Sequence, residues 1–482
     1  MNWINKTSLK TFIWLSLFIH LIGSFFSTGF QHFDEHFQIL EFVNLKWGGI
    51  RGESLAWEYR EKIRPWFQPW LFYLFSYPFK VLGVKNPFFF ACYFRILSGV
   101  LGWFSVLYFF KIVKIWFKNN GLLQKWGYLL LNFLWYIPFI HVRTSSESLS
   151  ISLFLIGSAL FLSSQKKYQF FLAGILWGLT YHARFQMALP VASLWISYLI
   201  FSRKESGSLG RLSLSAVGVI VAIGVGTVID YWGYGEWSFS LWHYYRTNFQ
   251  EGILANFKQY PWYWYIRWGF FRGIPPVSLI LVPVTFLGWI KYWKHPLTWM
   301  TFPLFFFHSL VGHKEVRFLF PCMVITPLFL LFFYRDYQEK IKRYWEKRWL
   351  RSFISFCIFV NLGALTVATL KPVNPSVNFY SYLWGNKEVN KIYAKEESPF
   401  TMLGLDIEFY KKPNFSVEIW KPNTNFDEKG KFVFLRKGKD FFEYQAKKHC
   451  ENLFLAYPEW LLHFNVGNWM SRSRVWSLFK CR

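Results

Sequence analysis

Acidic residues are scarce in this chain. Its 482 residues include 27 Asp and Glu against 54 Lys and Arg, which gives a formal net charge of +27. Charged residues make up only 17% of the chain, below the roughly 25% usual for soluble domains. The basic residues alternate with apolar runs, whereas a nucleic-acid binder would cluster them on one soluble module. The composition therefore argues against a nucleic-acid partner and favours anionic membrane lipids or a phosphate-bearing substrate.

Cysteine is also rare, and several common site motifs are absent. Three of the five cysteines, at positions 92, 322 and 357, lie in apolar stretches and are expected to be packing residues. A disulfide between Cys450 and Cys481 is expected only if the C-terminal region faces an oxidising compartment. The sequence contains no Walker loop, Rossmann glycine pattern, zinc-ligand spacing or nucleophile elbow. We therefore predict neither a cofactor nor a metal site.

Aromatic and apolar residues are abundant. The chain is 53% hydrophobic and 23% aromatic, as lipid-facing helices and interfacial aromatic belts require. Since about twenty apolar residues cross a bilayer, about eleven transmembrane spans are predicted, in a mainly α, multi-pass membrane protein. They are residues 10–28, 88–110, 127–142, 148–163, 168–183, 188–201, 212–229, 273–290, 297–311, 318–334 and 352–370. The apolar run from Pro69 to Val84 is predicted to be interfacial or re-entrant.

The basic loops predict an orientation, because positive residues accumulate on the cytoplasmic side. With eleven spans, the lysine- and arginine-rich loops fall on one face, at residues 111–125, 166–167, 203–211, 291–294 and 335–351. The N-terminus is then cytoplasmic. The opposite, extracytoplasmic face receives the loops that contain the unusual charged clusters and everything after residue 371.

Two domains are predicted, a transmembrane catalytic domain at residues 1–370 and a soluble extracytoplasmic domain at residues 371–482. The second is polar and begins with several prolines. Short alternating runs at residues 431–435 and 452–455 favour strands. We therefore expect a small α+β fold there.

Asp34 and Glu35 are adjacent carboxylates just past the first predicted span. Acid at a membrane boundary is costly to place, and a carboxylate there can take a proton from a substrate held at the bilayer surface. The alternative is an ordinary membrane-edge pair solvated in a loop. Against that alternative, candidate substrate-binding residues follow in the same loop: Glu41, Trp57, Glu58 and Arg64.

The run from His313 to Phe318 is a second dense cluster, with four ionisable residues at His313, Lys314, Glu315 and Arg317. One interpretation is a loop whose cations meet lipid headgroups. The other is a phosphate clamp, in which a lysine supplies a point charge and an arginine supplies a bidentate fork. Glu315 would then orient one of the cations.

Three further charged residues lie beside predicted spans. Arg143 begins a run whose Ser and Thr residues are equally explained as a helix cap. Arg184 lies within an otherwise apolar stretch, and a buried arginine requires an anion. Asp230 opens an acidic, aromatic-rich loop, in which aromatic faces either stack on sugars or anchor the chain at the interface.

Together these residues carry a family resemblance. The stretch from His32 to Gln38, with Glu41, Trp57, Glu58 and Arg64, resembles the first extracytoplasmic loop of glycosyltransferase family 22. The run from His313 to Pro321 is similar to that family's second signature and is the most specific match. Residues 230–235 and 261–265, Arg143 and Arg184 also resemble family stretches. Within that family, the sequence looks like the mannosyltransferases of GPI-anchor and lipid-linked oligosaccharide assembly.

The resemblance implies a GT-C membrane fold and a polyprenyl-phosphate sugar donor, usually dolichyl-phosphate mannose. It implies inverting transfer to a glycolipid or lipid-linked glycan acceptor, on the lumenal side of the endoplasmic reticulum membrane or the periplasmic side of a bacterial inner membrane. Asp34 would be the general base, and Glu35 would position it or bind the acceptor. The donor phosphate would be held by His313, Lys314 and Arg317, with Arg184 and Arg143 as further candidates. Asp230 and Glu315 would join the substrate-binding residues.

Other classes remain open from the sequence. A GT-C enzyme of another family, such as a protein O-mannosyltransferase or a lipid A aminosugar transferase, also places acid in the first outer loop but should lack the cluster at residues 313–318. A lipid flippase or transporter should show repeat symmetry and charges along a midplane path. A structural membrane scaffold would have no need for the clustered acids.

Overall fold

The computed structural model of the chain describes residues 6–202, 207–421 and 426–482. Arg203 and Lys204 of one predicted basic loop lie outside the described residues. The chain divides into two compact units. The first comprises Met1–Ser27, Glu61–Phe72 and Tyr93–Lys371, and the second comprises Thr28–Arg60, Tyr73–Cys92 and Pro372–Arg482.

Helices dominate the described residues. The first twelve are α1 Leu9–Phe26, α2 Phe33–Glu35, α3 Glu41–Lys46, α4 Trp57–Arg60, α5 Phe67–Val81, α6 Pro87–Trp116, α7 Gly121–Phe133, α8 Tyr136–His141, α9 Ser146–Ser163, α10 Lys167–Ala183, α11 Ala188–Phe201 and α12 Ser208–Tyr234. The remaining nine are α13 Ser240–Tyr245, α14 Trp264–Arg272, α15 Val277–Lys291, α16 Pro296–Leu310, α17 Phe320–Ile325, α18 Phe329–Trp345, α19 Arg348–Leu370, α20 Ser376–Gly385 and α21 Gly438–Gln445.

Six helical stretches in the described part of the chain are long and apolar enough to cross a membrane. They are Leu9–Phe26, Pro87–Trp116, Ser146–Ser163, Ser208–Tyr234, Val316–Trp345 and Arg348–Leu370. Shorter apolar helices follow at Phe185–Phe201 and Val277–Lys291. The mainly α, multi-pass class is confirmed, whereas the predicted count of eleven spans is not.

The predicted span at residues 127–142 is two helices in the structure. Leu134, between α7 and α8, has extended backbone with ψ 133°. Pro138 lies in the first turn of α8. A proline lacks the N–H that a continuous helix would need, and its ring clashes with the carbonyl four residues earlier, here that of Leu134. Proline is tolerated in a first turn, so the chain restarts its helix there.

In the first unit, close packing between α10 and α12 fixes the end of α10. A Cβ added to Gly174 would lie 2.0 Å from the Ser215 carbonyl oxygen, and one added to Gly178 would lie 2.5 Å from the Ala222 Cβ. Small residues four apart allow two helices to approach this closely in a membrane protein. Because α10 ends at Ala183, this contact positions Arg184, the residue that follows it.

The second unit contains a five-stranded sheet. The strands of this unit are β1 Lys391–Lys395, β2 Thr401–Met402, β3 Leu405–Asp406, β4 Ser416–Trp420, β5 Phe432–Lys437, β6 Cys450–Leu455 and β7 Arg474–Cys481. The order in the large sheet is β4-β1-β5-β7-β6, with β1 parallel to β4 and to β5 and the other pairs antiparallel. The strands expected at residues 431–435 and 452–455 are therefore confirmed as β5 and β6.

Cys450 and Cys481 occupy paired positions at the ends of β6 and β7 and are joined by a disulfide. This is the bond that the sequence allowed only for a region in an oxidising compartment. Cys92, Cys322 and Cys357 are free thiols, and Cys322 and Cys357 are buried, as expected for packing residues.

The acidic loop after α1 belongs to the same unit as the sheet. The carbonyl oxygen of Thr28 accepts hydrogen bonds from the backbone N–H groups of Val373, at 2.8 Å, and Asn374, at 3.2 Å. Gly29 has φ +88°, and a Cβ there would lie 2.7 Å from the Cβ of Asn374. Only glycine suits this position, since the backbone is left-handed and the neighbouring chain is in contact. This attachment fixes the start of the loop that leads to Asp34.

Candidate active site

The structure distinguishes the two adjacent carboxylates of the second unit. Glu35 is 3% exposed, and its Oε1 accepts from the backbone N–H groups of Gln31, at 3.1 Å, and His32, at 3.3 Å. The imidazole of His32 in turn accepts from the backbone N–H of Asp34 at 3.2 Å. These bonds form a capping box, which satisfies the free donors at the start of α2. Oε1 of Glu35 thus has a structural role, since it accepts hydrogen bonds from two backbone N–H groups.

The carboxylate of Asp34 is oriented differently. Its side chain is 21% exposed, and its Oδ1 lies 3.3 Å from Nδ1 of His32. A partly exposed carboxylate beside an imidazole can exchange a proton with a bound molecule, whereas the burial of Glu35 keeps its carboxylate from contact with one.

Glu41, a predicted substrate-binding residue, is fully buried in the same unit. Its Oε1 accepts from Nε2 of His36 at 2.9 Å and from the backbone N–H groups of Glu408, at 2.8 Å, and Phe409, at 2.9 Å. Its Oε2 accepts from Nδ2 of Asn44 at 3.1 Å. All of these partners belong to the protein, so the geometry makes Glu41 an anchor for the segment after β3.

The other two candidates of this loop lie on α4. Trp57 and Glu58 are both half-buried. Oε1 of Glu58 accepts from Nε2 of Gln38 at 2.9 Å. That bond ties α4 to the π-helical turn at His36–Leu40, which follows the acidic pair.

In the first unit, ionisable side chains from three segments meet at Glu147, in the first turn of α9. Its side chain is 1% exposed. Oε1 of Glu147 accepts from Nη1 of Arg184 at 2.6 Å, and Nη1 of Arg317 lies 3.3 Å from the same oxygen. The Arg184 guanidinium also donates to Oγ of Ser146 at 3.1 Å and lies over the ring of Phe318, 5.1 Å from its centroid.

Glu315 extends this cluster toward His313. One carboxylate oxygen of Glu315 pairs with Nε of Arg317, and the other lies 3.1 Å from Nε2 of His313. The backbone carbonyl of Glu315 accepts from the hydroxyl of Tyr265 at 3.1 Å, and burial raises the pKa of that phenol above its ordinary value. The cluster of Glu147, Arg184, His313, Glu315 and Arg317 is called the arginine cluster below.

Lys314 points away from the arginine cluster. It is 2% exposed, and its ammonium donates to the backbone carbonyls of His308, Ser309 and Val311. Burial lowers the pKa of Lys314 below its ordinary value. Three carbonyl partners match the three donors of an ammonium, so this residue closes the end of α16 and holds the loop that follows.

Arg143, Asp230 and Arg64 have separate surroundings in the first unit. Arg143 is 1% exposed, and its Nη2 donates to the carbonyl oxygen of Ser27 at 2.5 Å and to Oγ of Ser27 at 2.8 Å. Asp230 is fully buried and accepts from the backbone N–H of Trp66 at 2.7 Å and from Oγ of Ser240 at 2.6 Å. Both residues therefore connect distant segments of the unit.

Arg64 lies at the same attachment as Asp230. Its backbone carbonyl accepts from the hydroxyl of Tyr234 at 2.7 Å, and a Cβ on Gly233 would lie 2.0 Å from the Trp66 ring. The segment that carries Arg64 is thus fastened to the end of α12 by hydrogen bonds and close packing.

Of the residues that the sequence singled out in the first unit, the structure brings together Arg184, His313, Glu315 and Arg317 and places Arg143, Asp230, Arg64 and Lys314 elsewhere. Sequence reasoning missed Glu147 as the common partner of Arg184 and Arg317. The available signal was the scarcity of acid, because Glu147 is the last residue of the run that begins at Arg143 and an arginine in an apolar stretch needs an anion.

Comparison with known proteins gives a family. A family model described as the Alg9-like mannosyltransferase family matches residues 11–417. The chain is 24% identical over 300 residues to the mannosyltransferase APTG1 of Arabidopsis thaliana, covering 61% of this chain and 53% of that protein. It is 22% identical over 349 residues to the GPI alpha-1,2-mannosyltransferase 3 of Xenopus laevis, covering 68% and 59% respectively. The chain thus spans a little over half the length of these relatives.

One solved structure is similar over nearly the whole chain. It is that of ArnT from Cupriavidus metallidurans bound to undecaprenyl phosphate, with a TM-score of 0.56, 11% identity and 97% coverage of both chains. At this identity the likeness shows the fold, which is the GT-C fold expected from the resemblance. Because the family model covers most of the described helices and both candidate clusters, the chain belongs to the Alg9-like mannosyltransferase family.

Proposed function

We propose that this protein is an integral-membrane mannosyltransferase. It moves a mannose from a polyprenyl-phosphate donor, such as dolichyl-phosphate mannose, to a glycolipid or lipid-linked glycan acceptor, with inversion at the anomeric carbon. The observation that carries the proposal is the arginine cluster, in which Arg184 and Arg317 meet at Glu147 within a chain of a mannosyltransferase family. No cofactor is part of the proposal.

The arginine cluster suits the leaving group of such a donor. When the bond between the anomeric carbon and the phosphate oxygen breaks, negative charge develops on the departing polyprenyl phosphate, and fixed cations stabilise it. A guanidinium presents several N–H donors in a plane that matches phosphate oxygens. Glu147 holds both guanidiniums in place before the donor binds. ArnT, which shares the fold and was solved with undecaprenyl phosphate, supports a lipid phosphate as the ligand class.

Asp34 is the proposed general base. It takes the proton of the acceptor hydroxyl while that oxygen attacks the anomeric carbon from the side opposite the phosphate. Glu35, whose carboxylate caps the backbone before Asp34, holds the base in position. The partial exposure of Asp34 and the burial of Glu35 support this division of roles.

The remaining predicted residues receive supporting roles in the proposal. Glu315 contacts both His313 and Arg317, and these contacts orient Arg317 toward the donor phosphate. Lys314 stabilises the loop that carries them by donating to backbone carbonyls at the end of α16. The acceptor-facing candidates are Trp57 and Glu58 on α4, together with Arg64. Glu41, Arg143 and Asp230 act through the segments that they fasten.

The proposed location is the endoplasmic reticulum membrane or a bacterial inner membrane, with the active site on the lumenal or periplasmic side. The disulfide between Cys450 and Cys481 supports an oxidising compartment for residues 371–482, which we propose form a soluble extracytoplasmic domain. About eleven crossings of the membrane remain our proposal for residues 1–370.

The test is an assay of the purified full chain with polyprenyl-phosphate mannose and a panel of mannosylated lipid acceptors. The wild type should form a glycolipid product, and Asp34→Asn should lower kcat by about 100-fold or more. Asp406→Asn is the control, since it removes an exposed carboxylate of the same unit. Full activity of a folded Asp34→Asn protein would exclude Asp34 as the base, and absence of product with every lipid acceptor would contradict the function.

A further inference from the structure

A basic cavity lies entirely within the second unit. Its volume is about 400 Å³. Four lysines line it: Lys80 near the end of α5, Lys85 between α5 and α6, and Lys411 and Lys412 in the segment after β3. Among the lining residues, Glu408 is the single carboxylate, so the cavity has an excess of positive charge.

The four lysines differ in their partners. Lys411 is neutralised by Glu408, 2.7 Å away. Lys412 donates only to neutral oxygens, the carbonyl of Asn386 at 3.0 Å and Oδ1 of Asn390 at 2.9 Å. Three of the four charges are therefore left without a carboxylate among the described residues.

Two of these three charges, Lys80 and Lys85, lie on α5 and on the connection from α5 to α6. Lys80 stands over the ring of Trp47, 4.0 Å from its centroid, and burial lowers its pKa. Lys85 is exposed and forms no hydrogen bond or ion pair with a described residue. A partly desolvated ammonium beside a second cation gains most from an anion that can contact both.

The walls of the cavity are held in place before any ligand binds. The backbone of Glu408 and Phe409 is fixed by its hydrogen bonds to the buried carboxylate of Glu41. Trp47 stacks on Phe409 with ring centroids 5.7 Å apart. An ordered aromatic wall beside several cations suits a ligand with an anionic head and an apolar body.

The helix α5, which carries Lys80, also presents an apolar surface. On α5, three side chains at spacings of three and four residues share one face and are exposed: Leu74 at 48%, Tyr77 at 53% and Val81 at 69%. Leu82 follows at 79% exposure. In a membrane protein such a face lies against lipid, with nearby lysines directed to the headgroups.

We propose that this cavity binds the phosphate of an anionic phospholipid headgroup. Lys80, Lys85 and Lys412 contact the phosphate, and the apolar face of α5 lies in the outer part of the acyl layer. The ligand is a constituent of the surrounding membrane and is neither the sugar donor nor the acceptor, so the inference goes beyond the proposed transfer reaction.

The test uses the purified full chain in detergent, with no sugar donor present. Isothermal titration with the short-chain lipid dihexanoyl-phosphatidylglycerol should show saturable binding, and Lys80→Gln/Lys85→Gln should weaken it by at least about tenfold. The matched control is Lys429→Gln/Lys439→Gln, which removes the same charge from exposed lysines of the same unit. Equal weakening in the control would overturn the site in favour of bulk charge.

Two further ligands identify the chemistry. Dihexanoyl-phosphatidylcholine should bind at least about tenfold more weakly, and inorganic phosphate should compete only weakly. Equal binding of the zwitterionic lipid would overturn the anionic headgroup, and equally tight binding of inorganic phosphate would overturn the lipid assignment in favour of a free-phosphate site. Since none of these titrations measures transfer, their failure is distinguishable from a failure of the proposed function.

Lys412→Gln, a single change on another segment, should also weaken binding, and an unchanged affinity would remove that residue from the site.

Discussion

Glu147 and Arg184 form a buried ion pair in the first unit, with 2.6 Å between Oε1 and Nη1. Arg317 reaches the same carboxylate oxygen from another segment. One acid thus contacts two arginines that lie far apart in the sequence. If the arginines bind the donor phosphate, Glu147 is a positioning residue whose effect on transfer passes through them.

Glu147→Gln should destabilise the protein and reduce transfer together. Removing the charge leaves the buried guanidinium of Arg184 without its carboxylate and takes one of two carboxylates from Arg317. Breaking a buried pair costs about 3 kcal/mol or more. A lowered Tm of the full chain and a raised KM for the donor are the expected results. A double-mutant cycle with Arg184→Gln should show strong coupling. Additive losses would contradict the positioning role, and Ser146→Ala, which removes a neutral partner of Arg184, serves as the mild control.

Arg317→Lys should impair donor use even though it keeps the charge. Lysine cannot reproduce the planar fork that contacts Glu147 and Glu315 at once. We expect the KM for polyprenyl-phosphate mannose to rise about tenfold, and Arg317→Ala to reduce kcat/KM further. Steady-state kinetics over a donor titration gives both values. Arg335→Lys, at an exposed site, is the matched control, and equal kinetics for the two lysine variants would remove Arg317 from the donor site.

Glu41→Gln should loosen the segment after β3 in the second unit. The side-chain amide would place a donor or a weaker acceptor among the groups that now donate to the carboxylate. Hydrogen bonds to a charged group contribute about 1.5–3 kcal/mol. Hydrogen exchange at residues 407–410 should therefore quicken relative to wild type and to Glu388→Gln, an exposed control. Unchanged protection of these amides would show that the anchor is dispensable.

The disulfide should be present in the protein as isolated. Peptide mapping without reductant should recover Cys450 linked to Cys481, and Cys92, Cys322 and Cys357 as free thiols. Replacing both bonded cysteines by serine should cost the second unit about 2–4 kcal/mol through loss of the constraint on its unfolded chain. Protease resistance of residues 430–482 measures this loss. Recovery of free thiols at positions 450 and 481 would refute the bond and its support for an oxidising compartment.

Glu428 should make the second unit sensitive to acid. Burial by itself would raise its pKa, but hydrogen bonds from Lys447 and His449 outweigh burial and lower the pKa below the ordinary value. A lowered folded pKa stabilises the fold above the unfolded value, about 4.3 for glutamate. That contribution is lost as pH falls below about 4 through the folded pKa. In Glu428→Gln, Tm should fall less steeply than in wild type as the pH drops below about 4. The same decrease in Tm in both proteins would assign the acid sensitivity to other groups.

Local patterns in the sequence were enough to predict the elements. Long apolar runs predicted the membrane helices because a bilayer requires a fixed length of apolar chain. Alternation in residues 431–435 predicted β5, because one face of a strand is buried. The prediction of one continuous span at residues 127–142 was wrong. The apolar composition favoured a single helix, but a proline kinks or breaks a helix that it lies inside, and Pro138 instead lies in the first turn of a second helix. Six helices of the described residues are long and apolar enough to cross a membrane, so the count of eleven spans is not confirmed and stays a prediction.

The candidate sites depended on contacts between residues far apart in the chain. The sequence identified the acidic pair and the run at residues 313–318. It ranked Asp34 ahead of Glu35 only through the family resemblance, and it grouped Lys314 with Arg317. The backbone bonds of Glu35 and the carbonyl partners of Lys314 separate these roles.

The sequence by itself determined that this chain is a membrane protein with scarce, clustered acid that resembles a mannosyltransferase family, because composition and local motifs carry that information. Only the tertiary structure decided that Glu147 joins Arg184 and Arg317. The physical reason is that a side chain's charge is set by its residue type, whereas its burial and its partners are set by whichever segments fold against it.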